Sequence, residues 1–244
     1  SFNSLVTSID IENKRAVGLT VGDKALTFDT IVSDSDINYV VNNLMDHPLK
    51  KRFNRLEPSS SALVFYWGVK KEFPELDLHN ILFSGDYKEE FDDLFQKKTI
   101  HADPTVYIFV SSKMVQSDAP KGCENWFVMV NAPSNSKENW EELIRATKQN
   151  IIKKINKSLK TNIEDYIEHE KIASPMTIEQ ETLSRGGALY GNSSNSIFSA
   201  FLRHPNFLKS IKNLYFVGGS VHPGGGIPLC LASAKIVDNE IPAE

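Results

Sequence analysis

The residues best suited to chemistry crowd together near the C-terminus. In the run Leu214-Tyr215-Phe216-Val217-Gly218-Gly219-Ser220-Val221-His222-Pro223-Gly224-Gly225-Gly226-Ile227-Pro228, five glycines fall between 218 and 226. Glycines strip side chains from a loop, so its backbone can pass close to another object. The apolar run before the loop has the character of a strand covered on both faces. Pro228 suits a first helical position, where its missing N–H would have no intrahelical partner. Ala232, Ser233 and Ala234 would let that helix lie close against a sheet. Strand, glycine loop and helix start together offer free N–H groups and a positive dipole end to an anionic or electron-rich ligand. The chemistry expected is therefore cofactor binding. Of six histidines, only His222 lies inside this loop, as a structural residue or as a polar contact or steric wall beside a bound cofactor.

Other chemistries find little support. The chain has no G-x-S-x-G elbow, no H-E-x-x-H and no Walker sequence. Its histidines are scattered and its two cysteines, Cys123 and Cys230, lie far apart, so no metal site and no disulfide framework is expected. Two cysteines in such a chain suit a reducing cytoplasm. A net charge of -4 gives no sign of a nucleic-acid partner. No apolar run is long enough for a transmembrane helix, and there is no signal peptide. With 244 residues, 41% hydrophobic and 24% charged, the chain has the composition of a soluble globular protein of one large or two small domains. It begins at Ser1, directly on strand-like sequence, and is expected to be part of a longer protein. The glycine loop departs from G-x-G-x-x-G, so taken alone it does not name its ligand.

The elements that must position the loop can be read from periodicity. Residues 5–33 alternate as a β-meander with turns at 12–14 and 22–24. Ser33-Asp34-Ser35-Asp36 then fits an N-cap for a helix over 37–44. Residues 61–69 form a long apolar strand rich in aromatics, read either as sheet core or as pocket lining through alternate members. Further strands are expected at 79–83, 105–110 and 126–130, and a helix at 87–96. Residues 137–160 carry Trp140, Leu143, Ile144, Ile151, Ile152, Ile155 and Leu159 at mostly helical spacing, with lysines between them. That is a long amphipathic helix, whose basic face is either simply solvated or in contact with an anionic membrane. Residues 162–170 carry no motif, and 174–181 have a helix-start pattern. A second glycine-rich loop, Arg185-Gly186-Gly187-Ala188-Leu189-Tyr190-Gly191, precedes polar residues 192–196.

The segment Asn-Leu-Tyr-Phe-Val-Gly-Gly at 213–219, with His-Pro-Gly-Gly-Gly-Ile-Pro at 222–228, closely resembles the C-terminal FAD-binding signature of bacterial and fungal phytoene desaturases. Ser233-Ala234-Lys235 continues the similarity. So do Ala119-Pro120-Lys121-Gly122, Ser174-Pro175, the 187–191 loop, Arg15 to Leu19 and Ser33 to Asp36. Arg203-His204-Pro205 departs from the family's Arg-Pro by an inserted His204. The resemblance implies an FAD-dependent carotenoid desaturase, in which flavin takes a hydride from an apolar polyene. The alternatives are a flavin-dependent carotenoid isomerase or saturase of the same superfamily, or a non-enzymatic lipid- or carotenoid-binding module. Gly218, Gly219 and Ser220 would approach the pyrophosphate and ribityl chain. His222, Gly224, Gly225 and Gly226 would pass the isoalloxazine, and Ile227, Pro228 and Leu229 would set the helix N-terminus at its electron-rich edge. Phe65, Trp67, Tyr190 and Phe198 are the candidates for lining the polyene tunnel. Catalytic residues are left unassigned.

The resemblance further implies an α/β fold: part of a Rossmann-like FAD-binding domain, from residues 1–44 and 181–244, plus a mixed β-sheet substrate domain over 45–180 with helices on one face. The N-terminal half of the same protein would hold the ADP part of FAD and be needed to complete the site. Because the substrate is so apolar, a cytoplasmic protein in peripheral contact with a membrane is expected.

Overall fold

The computed structural model describes residues 1–48, 50–51, 56–135, 139–193 and 203–241. The chain folds into two compact units, residues 1–59 with 179–244, and residues 60–178.

In the first unit, strands β1 (Val6–Glu12) and β2 (Arg15–Val21) form an antiparallel hairpin. Its two-residue turn, Asn13-Lys14, has positive φ at both positions (49° and 63°), which matches the right-handed twist of the flanking strands. β3 (Lys24–Thr27) pairs antiparallel with β2. β4 (Ile31–Ser33) runs parallel to β11 (Ile211–Phe216), and β10 (Phe207–Leu208) closes the far edge. The parallel pairing of residues so distant in sequence brings Ser33 level with Phe216, where the glycine loop begins.

After β4 the chain turns into α1 (Ile37–Tyr39), which continues as a wider turn over Val40–Leu44. The expected cap is present: Asp36 accepts from the N–H groups of Asn38 (2.8 Å) and Tyr39 (3.3 Å). Burial pushes the Asp36 carboxyl above its usual pKa, with these hydrogen bonds opposing the shift. Ile37, Val40, Val41 and Leu44 pack on Ile31, Leu214 and Phe216 as one core.

The second unit is a five-stranded sheet in the order β6 (His79–Leu82), β7 (Val106–Phe109), β8 (Glu124–Ala132), β5 (Ser61–Val69), β9 (Ile167–Ala173). Helix α2 (Tyr87–Asp92) lies between β6 and β7 in the chain. α3 (Trp140–Leu159) covers one face, burying Trp140, Ile151, Ile152 and Ile155 against Leu63, Phe65, Trp67, Trp126 and Val128.

The mixed sheet expected here is corrected: every described ladder in this unit is antiparallel. β8 and β9 are joined through the long helix and do run parallel, but β5 lies between them and opposes both. Periodicity reports which face a residue takes, not which strand it neighbours. β9 itself has no sequence signal because it is an edge strand. Its Glu168, His169, Glu170 and Lys171 are all exposed, and such charges discourage further pairing.

α4 (Pro175–Thr182) carries the chain back into the first unit. Its start is a reciprocal box: Ser174 Oγ accepts from Thr177 N (3.4 Å), and Thr177 Oγ1 from Ser174 N (2.8 Å). α5 (Ile227–Glu240) ends the described chain.

Candidate functional site

β11 delivers the glycine loop at a fixed height. Val217 N–H donates to Ser33 O (2.9 Å), and Ser220 Oγ accepts from Ile37 N (3.1 Å), so the loop is tied to both β4 and α1. Behind it sits Asn206, 2% exposed. Its side-chain amide donates towards Phe216 O (3.0 Å), His222 O (2.9 Å) and Ser233 Oγ (2.8 Å). One buried residue therefore joins the end of the strand, the middle of the loop and the helix α5. The inserted His204 is buried too. It donates to Pro205 O (2.6 Å), stands edge-on to Phe216 with ring centres 5.4 Å apart, and accepts His222 N–H through its backbone oxygen (2.9 Å). The departure from the family pattern thus adds a packing residue.

The two glycine-rich loops meet. Arg203 Nη1 donates to Gly219 O (2.9 Å) and Tyr190 O (3.2 Å), one from each loop. Its guanidinium lies over Gly224, where a Cβ would stand 3.3 Å from Cζ. The ring of Tyr190 lies against Gly225, so that a Cβ there would collide with it. Gly191 in turn backs onto Ser220, with only 2.8 Å between a hypothetical Cβ and that of the serine. Close approach requires glycine at 225, and at 191 and 224 a positive φ (67° and 136°) adds to it. Burial lowers the Arg203 pKa, yet an arginine stays charged under physiological conditions.

Helix α5 starts behind Gly226, which has no side chain to cap it. Its first turn therefore presents N–H groups and a positive dipole end. Ile227 is 79% exposed and Leu229, Leu231 and His222 are exposed as well. Pro228 occupies the first turn, as its chemistry requires.

Of the sequence candidates, residues 218–229 are consecutive in this one assembly, and Tyr190 joins them. Phe198 lies outside the described residues. Phe65 and Trp67 belong to the second unit, at 0% and 2% exposure beneath α3. Trp67 Nε1 donates to Glu170 (2.7 Å), and Lys148 pairs with the same carboxylate (2.7 Å). Both side chains are buried under α3, and Trp67 also borders the cleft that opens beside Tyr66. Alternation did identify one face of β5, but the odd-numbered members face the helix. The opposite face is covered at Ala62 and Val64 and opens at Tyr66, 43% exposed.

On that open face the aromatic rings form a chain across four strands. Tyr66 meets Phe127 edge-on (5.5 Å), and Phe127 meets Tyr107 (6.2 Å). Tyr107 stacks with His79 (6.1 Å), which also contacts Phe109 (5.2 Å). A cleft of about 560 Å³ opens there, lined by Tyr66, Gly68, Phe109, Phe127 and His169 among others.

Asn206 and the open-face rings carry no motif in the sequence. The only signal available for the rings was the same alternation that singled out Phe65, read on the opposite phase.

No family model matches the chain. A 1-hydroxycarotenoid 3,4-desaturase of Flavobacterium sp. (strain P99-3) is 50% identical over 242 residues, which are 99% of this chain and 50% of the relative. The chain is a half-length homologue of the carotenoid desaturases. Among these relatives, a phytoene desaturase of Fusarium fujikuroi is 31% identical over 96% of this chain and 45% of its own length. A 4,4'-diapolycopene oxygenase of Methylomonas sp is 31% identical over 94% and 47%. The chain spans about half the length of the curated relatives it matches. Among solved structures, an oxidoreductase from Methanosarcina mazei aligns with a TM-score of 0.61 at 12% identity, over 96% of this chain and 48% of that one. A fatty acid isomerase from P. acnes aligns with a TM-score of 0.53 at 12% identity, over 98% and 48%. Both likenesses concern the fold.

Proposed function

We propose that the full-length protein is an FAD-dependent carotenoid desaturase, and that this chain supplies the flavin-ring side of its cofactor site and part of its substrate-binding domain. The observation that carries the proposal is the pairing of 50% identity, over nearly all of this chain and half of a 1-hydroxycarotenoid 3,4-desaturase, with a glycine-rich loop ending at a helix N-terminus that no side chain caps.

The loop's residues fit a flavin. A Cβ on Gly226 would meet nothing within 4 Å, and one on Gly218 only the Asp34 carbonyl oxygen at 3.5 Å, so backbone lies open at both, while Tyr190 and Arg203 fill the space beside Gly225 and Gly224. Planar ring systems need such clearance. The N–H groups of Ile227 and Leu229 and the dipole of α5 then favour negative charge on an electron-rich ring. His222 would flank the ring, and Arg203 would hold the loop in place. FAD, when bound, supplies the two-electron chemistry by accepting a hydride from the substrate. A reaction of this kind needs mainly positioning, which a loop fixed by Asn206, Arg203 and Ser220 provides.

In this reading the first unit is the FAD-binding portion, and the rest of the protein adds the dinucleotide grip. The second unit binds the substrate. Its open aromatic face (Tyr66, Phe127, Tyr107, Phe109) takes the polyene, in place of the covered Phe65 and Trp67. A hydroxylated carotenoid, the class in the name of the 50% identical relative, is the substrate class proposed.

Peripheral membrane contact belongs to the same proposal. No helix among the described residues is long and apolar enough to cross a membrane. A second cleft of about 780 Å³ is lined by Lys153 and Lys157 beside the exposed Ile81 and Phe83, a mixture suited to an anionic lipid surface. Vesicle flotation of the full-length protein, with and without anionic lipid, tests this; protein found only in the soluble fraction would count against it.

The function itself is tested with FAD-loaded full-length protein, an electron acceptor and carotenoid-bearing vesicles. A red-shifted product lighter by two hydrogens is expected. A product of unchanged mass would point to isomerisation, and a heavier one to oxygen insertion; either outcome would displace the desaturase assignment.

A further inference from the structure

The aromatic chain on the open face of the second unit does not end in another hydrocarbon ring. It ends at His79 on the edge strand β6, whose Nδ1 lies 2.8 Å from the Tyr107 hydroxyl. Both groups face the same side of the sheet as Tyr66 and Phe127, and His79 is exposed. The register places them side by side: His79 pairs with Phe109, and Ile81 with Tyr107, so the imidazole lies over both rings of β7. From β5 to β6 the stripe crosses three interstrand steps, roughly 14 Å. The stripe carries a single phenol, Tyr66, at its β5 end and the hydrogen-bonded His79–Tyr107 couple at its β6–β7 end.

Resting on the carotenoid assignment above, we infer that His79 and Tyr107 form the subsite receiving a hydroxyl-bearing end of the carotenoid. A polyene lying along Tyr66, Phe127 and Phe109 needs no hydrogen-bonding group. A hydrocarbon end placed over His79 would cover its Nε2 and the remaining hydrogen-bonding capacity of the Tyr107 hydroxyl without serving either, which is unfavourable. A hydroxyl both donates and accepts, so it pairs with the histidine–tyrosine couple in either tautomer. The pair thereby discriminates against a bare end in the way that sites built to bond a hydroxyl reject analogues lacking one. No other described group on this stripe combines a ring that stacks on its neighbours with a hydrogen bond to a second ring.

The test uses the full-length protein with FAD and two acyclic carotenoids that differ only in a terminal hydroxyl. Wild type is expected to favour the hydroxylated one in kcat/KM. His79→Phe keeps the ring stack and removes the polar handle, and Tyr107→Phe removes the second hydroxyl. Each is expected to lower the hydroxylated-to-bare ratio by about tenfold, mostly through KM. His79→Gln, which retains a hydrogen-bonding amide, is expected to recover part of the ratio. A wild-type enzyme with no preference for the hydroxyl overturns the inference. So does an unchanged ratio in both phenylalanine variants, or an equal fall on both substrates. Each of these results leaves the desaturase assignment standing, because desaturation is still seen. That assignment, and the inference with it, fails only if wild type desaturates neither carotenoid.

Discussion

Replacing Asn206 with alanine removes the donor that joins β11, the glycine loop and α5. Its amide stands within 3.0 Å of Phe216 O, His222 O and Ser233 Oγ. An amide has two N–H groups, so three acceptors share two protons. Deleting them leaves about two acceptors without a donor, at roughly 1–3 kcal/mol for each one kept from water. His222 is exposed, and water can reach its carbonyl more easily than that of buried Phe216. The expected loss is therefore about 2–4 kcal/mol. It should appear first as loop opening, so FAD is released before the sheets unfold. The assay is denaturation of the full-length protein, followed in parallel by flavin fluorescence and far-ultraviolet circular dichroism. The double mutant with Ser233→Ala sharpens it. The two residues share one bond, so their costs should fall short of additivity by about 1 kcal/mol. Asn206→Ala within about 0.5 kcal/mol of wild type and retaining FAD, or strict additivity with Ser233→Ala, would refute the joint.

Three further outcomes are expected. Gly225→Val puts a side chain where the Tyr190 ring stands, so FAD retention should fall while circular dichroism stays native; full occupancy would show the two loops are not closely apposed in the protein. Trp67→Ala should cost about 3–5 kcal/mol on thermal unfolding, whereas Tyr66→Ala stays within about 1 kcal/mol and raises KM for carotenoid; the reverse order would return the polyene to the covered face. Asp93, gripped by Lys97 Nζ (2.6 Å) and His101 Nδ1 (2.6 Å), has its carboxyl held below the usual carboxylate pKa, with Lys97 the larger cause. A depressed folded pKa contributes stability above the unfolded value of about 4 and loses it as pH falls towards the folded one. Asp93→Asn should therefore flatten the acid limb of a stability–pH curve below about pH 4, and an unchanged limb would exclude this contribution.

Much of the architecture follows from local physics that a sequence displays. Alternation in residues 6–33, the Asp36 cap and the amphipathic stripe of α3 depend on neighbours within a few positions, and each forms where the residues require it. The strand–glycine loop–helix run is legible for the same reason, since glycine and proline restrict the backbone wherever they stand. The resemblance to the desaturases was also legible, because it is carried by consecutive residues at 213–235.

What the tertiary structure decided is everything that depends on residues far apart in sequence. Periodicity identified alternate residues of β5 but not which alternate set lies under α3, the one with Phe65 and Trp67, nor which set carries the exposed Tyr66. The direction of β8 relative to its neighbours, the charged edge strand β9, and the grip of Asn206 and Arg203 on the loop all arise from pairings across the fold. Tyr190 could be named from the sequence as one residue of a second glycine-rich loop. That its ring rests on Gly225, and that Arg203 bonds the carbonyls of both loops, follows only once β4 and β11 have paired and drawn the distant segments together.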